Sequence, residues 1–144
     1  MNYHSNNQSS EKPLNEKLLF FAFLSAIFIY NAVAVIISQS GEFFEKGEGF
    51  AGLDGETILI LFYVFLFFSI IQLIILLKWN PKRKFSLAEL PPQNDGDLFV
   101  IKYGIAEAMA IYGLILFLLN GNFDHLILFS VLAIIGMFLS YPKE

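Results

Sequence analysis

The chain contains no cysteine. Disulfides, thiolate metal sites, cysteine nucleophiles and lipoprotein acylation are all excluded. Charge is scarce too: 15% of the 144 residues are Asp, Glu, Lys or Arg, against about 25% in soluble domains. Histidine occurs twice, as His4 in a polar N-terminal stretch and His125 near the end of the chain, with no ligand set beside either. The sequence has no glycine-rich phosphate loop, no HExxH and no GxSxG, and the serines of its apolar runs lack a neighbouring His or Lys to activate them. No catalytic constellation assembles, so neither enzymatic activity nor a cofactor is expected. The net charge of -4, with no basic patch interleaved with aromatics, speaks against nucleic acid as a partner.

What remains is apolar. Hydrophobic residues make up 56% of the chain and phenylalanine alone occurs 17 times. The pattern predicts an all-α integral membrane four-helix bundle, with spans near 18–38, 58–78, 99–119 and 123–141. Residues 1–16 read as a polar cytoplasmic tail and 17–144 as a single membrane domain. The first run is uncharged from Leu18 to Ile37, about 30 Å as a helix, which matches the hydrocarbon thickness. A signal peptide would have a shorter core and a more basic start than Lys12 and Lys17 set against Glu11 and Glu16, so cleavage near Ser38-Gln39-Ser40 is not expected.

The connection from Ser40 to Glu56 is rich in glycine and acidic residues. Its carboxylates do not follow the EF-hand register, which points to a solvated loop. The second span holds no glycine or alanine. Ser69 and Gln72, three apart, share one face that should turn inward while the Phe, Ile and Leu majority meets lipid. From Lys78 to Asp97 the chain reads as a polar loop, with Trp79 at the interface, the basic run Lys82-Arg83-Lys84, and Asn94-Asp95-Gly96 ending any helix. Asn120-Gly121-Asn122 predicts a tight turn, making the last spans a hairpin, and Asn122 or Asp124 is placed to cap the fourth. Of nine Lys and Arg residues, only Lys46 falls on the side opposite the termini. By the positive-inside rule both termini are cytoplasmic, and the membrane is the cytoplasmic (inner) one.

One carboxylate stands inside an apolar span. Glu107 lies among Gly104, Ala106, Ala108, Ala110 and Gly113, small residues that let neighbouring helices approach closely. An acid there costs several kcal/mol by most scales, so it needs a partner or a task. Its candidate hydrogen-bond partners are Ser25, Asn31, Gln72 and Ser130. A faint internal repeat, aligning Ile29-Tyr30 with Ile111-Tyr112, sets Ser25 opposite Glu107, although the shared identities are few.

The segment Ala106-Glu107-Ala108-Met109-Ala110-Ile111-Tyr112-Gly113-Leu114 resembles the ion-binding helix of rotary ATPase c subunits, the proteolipids. The resemblance implies Glu107 as a carboxylate that carries H+ or Na+, with Tyr112 as a neighbouring position. It covers residues 104–118, and span two lacks the glycines that the family's other helix uses to pack inside a ring. Two functions are therefore weighed. In the first, the protein is a structural or accessory subunit, a homo-oligomer or part of a membrane complex, and Glu107 belongs to its packing face. In the second, Glu107 binds an ion during translocation.

Overall fold

The computed structural model describes residues 16–39, 53–78 and 95–141. The readings made for the N-terminal tail, most of the acidic loop and most of the basic loop lie outside them. Every regular element described is a helix: α1 (Glu16–Gln39), α2 (Gly55–Lys78), α3 (Asp95–Asn120) and α4 (Phe123–Ser140). All four are long and apolar enough to cross a membrane.

The helix ends follow local chemistry. The Ile58 N–H reaches back to the Asp54 carbonyl at 3.2 Å as α2 begins, and Lys78 sits in its last turn, where the negative end of the helix dipole favours a cation. Between α3 and α4, Gly121 takes a φ of 71°, the left-handed conformation that glycine adopts without a Cβ penalty. Its N–H bonds the Phe117 carbonyl at 2.7 Å and closes α3. Asn122 then caps α4, its side-chain oxygen accepting from the Asp124 N–H at 2.9 Å. One boundary differs from the sequence reading. Helix α3 starts at Asp95, so Asp95, Gly96 and Asp97 are helical rather than part of the preceding loop. A first helical turn has free N–H groups and a partial positive charge, and these residue types are accepted there although they weaken a helix interior.

The helices run alternately up and down. Phe20 at the start of α1 meets Tyr103 near the start of α3 and Tyr141 just beyond α4, with ring centroids 5.9 and 5.0 Å apart. At the opposite end Phe62 of α2 lies 4.8 Å from the His125 ring. The α3–α4 hairpin forms the centre. Both α1 and α2 pack on it, and among the described residues no Cα of α1 comes within 8 Å of one of α2.

Small residues set the distance between the central helices. Ala106, Ala110 and Ala133 are fully buried. A Cβ built on Gly113 would come within 2.8 Å of the Phe129 Cβ and 3.1 Å of the Leu126 Cα, so α3 and α4 meet backbone to backbone at that level. Met109, Met137, Tyr103 and Ile27 fill the rest of this core. On α2 only Ser69 and Leu76 are buried, and its Phe, Ile and Leu residues cover the outer surface, as their pattern implied. On α1 the buried residues Phe20, Ile27 and Ala34 repeat every seven positions, the spacing of a helix seam.

Candidate functional site

Glu107 lies near the middle of α3 and is half-buried. The phenol of Tyr30 on α1 donates a hydrogen bond to its carboxyl. The next residue on α1, Asn31, turns about 100° further round the helix and faces α4. Its side-chain N–H2 donates to the Ser130 hydroxyl at 3.0 Å and to the Ile27 carbonyl at 2.8 Å. Two adjacent side chains thus hold α1 to both arms of the hairpin.

Helix α2 is tied differently. The Gln72 carboxamide donates to the Tyr112 hydroxyl on α3 at 3.1 Å. The Tyr112 ring stacks on Phe65, with centroids 4.8 Å apart and planes 13° from parallel. The central helices meet through small residues, and the flanking helices are fastened to them by single polar contacts. Such interhelical bonds contribute about 0.6 kcal/mol on average in a membrane, and up to about 1.7. They act chiefly to set rotation and depth.

The four partners considered for Glu107 are thereby placed. Asn31 and Ser130 bond each other, and Gln72 bonds Tyr112. Ser25 is exposed and its hydroxyl turns back to the Phe21 carbonyl at 2.7 Å. Tyr30, which the sequence reading did not count among the partners, supplies the bond to Glu107. The small residues divide in two. Ala106, Ala110 and Gly113 are consumed by the contact within the hairpin. Ala108 is half-buried, and nothing lies within 4 Å of where a Gly104 Cβ would project. Among the described residues Glu107 belongs to no cluster of three or more His, Asp or Glu side chains suited to a metal ion.

The turn between α3 and α4 carries a second polar assembly. The Asn120 side-chain oxygen accepts from the Asn122 N–H at 2.8 Å, so its amide nitrogen is the atom 2.9 Å from the His125 Nδ1. Since that nitrogen can only donate, His125 Nδ1 is the acceptor, and the ring hydrogen of the neutral imidazole sits on Nε2.

The chain matches no protein-family model, no curated protein and no solved structure.

Proposed function

We propose that this chain is a small integral protein of the cytoplasmic (inner) membrane, with both termini cytoplasmic. It serves as a structural or accessory subunit that packs against itself or a larger membrane complex through the part of the small-residue face around Glu107 that its own helices leave open, at Gly104 and Ala108. The observation that carries the reading is the Tyr30–Glu107 hydrogen bond. It engages the intramembrane carboxyl in joining α1 to α3, the task expected of a packing residue. The open strip at Gly104, with Ala108 half-buried beside it, is shaped for a close helix contact from outside the bundle. The apolar outer faces of α1 and α2 suit lipid.

The test separates packing from ion binding. Glu107→Gln keeps the shape and an acceptor for Tyr30 but removes titration. On this reading it folds and assembles as the wild type does in mild detergent, whereas Gly104→Leu stays folded and loses its assembly partner. Labelling with a hydrophobic carbodiimide supplies the opposing outcome. If Glu107 reacts in a pH-dependent way and Na+ protects it, the carboxyl carries an ion, as the likeness to the c-subunit helix implies, and the packing reading falls.

A further inference from the structure

The described helices hold five serine hydroxyls, of which that of Ser130 accepts from Asn31. Those of Ser25, Ser38 and Ser140 bond a carbonyl three or four residues earlier on their own helix, at 2.7 to 2.8 Å. That local bond is the ordinary resting place of a helical serine in an apolar setting. Ser69 departs from it. Its side chain is fully buried and its Oγ has no hydrogen-bond partner among the described residues. The side-chain oxygen of Gln72, one turn further along α2, is likewise buried and without a partner.

These atoms lie on one patch. Phe65, Ser69 and Gln72 follow one another at four- and three-residue spacing, so they form one stripe of α2. Tyr112 of α3 lies along it, its ring stacked on Phe65 and its hydroxyl accepting from Gln72. Tyr112 thus meets α2 one turn to either side of Ser69. The Tyr112 hydroxyl already accepts from Gln72, and no acceptor for its own hydrogen is found among the described residues. The unused capacity toward one ligand is three bonds: one to the Ser69 hydroxyl in either direction, one from the Tyr112 hydroxyl hydrogen and one to the Gln72 oxygen.

We propose that Ser69, Gln72 and Tyr112 form a binding site for a single water molecule between α2 and α3. Water is the ligand that matches this inventory. It can accept from Tyr112, donate to Gln72 and bond Ser69 in either sense, and buried waters typically make about three hydrogen bonds to groups otherwise left unsatisfied. The groups are a hydroxyl, a carboxamide and a phenol, all neutral, so nothing at the site offsets the charge of a cation. Glu107, the acid of α3, is engaged with Tyr30 of α1 rather than with this patch. The site stands whether or not the protein serves as an accessory subunit.

The experiment uses the full chain in lipid nanodiscs. NMR magnetisation transfer from water is expected to reach the Gln72 carboxamide protons in the wild type and to vanish in Ser69→Ala. The same substitution is expected to lower the thermal midpoint, because it removes one of the water's anchors. Tyr112→Phe, which retains the stacked ring, is expected to weaken the transfer as well. The site is overturned if the Gln72 carboxamide shows no transfer from water. It is also overturned if Ser69→Ala raises the midpoint, which is the response to deleting a buried hydroxyl that had no partner.

Discussion

The phenol of Tyr30 on α1 donates to the carboxyl of Glu107 on α3, joining residues 77 apart in the chain. Tyr30→Phe deletes the donor and leaves a half-buried carboxyl to be solvated by little else. It is expected to lower stability by about 1–2 kcal/mol, as for a polar group left unsatisfied. Glu107→Gln, which still offers an oxygen to Tyr30, should stay within about 0.5 kcal/mol of wild type, well inside the measured worth of an interhelical bond. Unfolding in mixed micelles of Tyr30→Phe, Glu107→Ala and the double variant Tyr30→Phe/Glu107→Ala measures the coupling.

Three glycines rank by what a Cβ would meet. At Gly113 it meets the Leu126 backbone and the Phe129 Cβ, neither of which can move without parting α3 from α4. Gly113→Ala is expected to cost about 1–3 kcal/mol. At Gly136 the nearest atom is the Met109 Cε at 2.9 Å, the far end of a flexible side chain, so Gly136→Ala should cost less. Gly104 has open space, and Gly104→Ala should leave the monomer as stable or gain up to about 1 kcal/mol from helix propensity. A thermal series in detergent checks the order.

His125 is expected to hold its ring hydrogen on Nε2, because Asn120 presents an N–H to Nδ1 while its oxygen is committed to the Asn122 backbone. Nitrogen-15 shifts of the imidazole at neutral pH report the tautomer. Asn120→Asp replaces the donor by an acceptor and should move the hydrogen to Nδ1. Unchanged shifts in that variant would disprove the arrangement.

The absence of cysteine makes the topology easy to map. With an even number of spans, Glu16→Cys and Tyr141→Cys mark one face, and Leu53→Cys and Asn122→Cys mark the other. The positive-inside reading predicts that an impermeant maleimide labels only the second pair in intact cells.

The helices were legible because each apolar run has the length a bilayer demands, and hydropathy reports that directly. The inward face of α2 was legible from the spacing of Ser69 and Gln72 alone, since its remaining residues are uniformly large and apolar. The bond between Tyr30 and Glu107 was not. Which side chain meets which depends on the relative rotation and depth of two helices, and these are set by the packing of the whole bundle. Burial marks Phe20, Ile27 and Ala34 as the seam of α1, and Tyr30 and Asn31, three and four residues past Ile27, share its face. The nearly all-apolar sequence of α1 does not mark that seam, and so did not separate Tyr30 from the exposed Ser25. The start of α3 was misread for a different reason. Asn94-Asp95-Gly96 carries the residue types of a turn, and the same types favour a helix N-terminus.

Since no Cα of α1 comes within 8 Å of one of α2 among the described residues, these two helices have no close backbone packing against each other. If the chain is inserted as proposed, these helices are expected to enter the bilayer as separate rods, their mutual placement waiting for α3 and α4. Assembly is then gated by the C-terminal hairpin. Truncation before α4 should expose both earlier helices to quality-control proteolysis, whereas the hairpin, expressed separately, should capture them when supplied in trans.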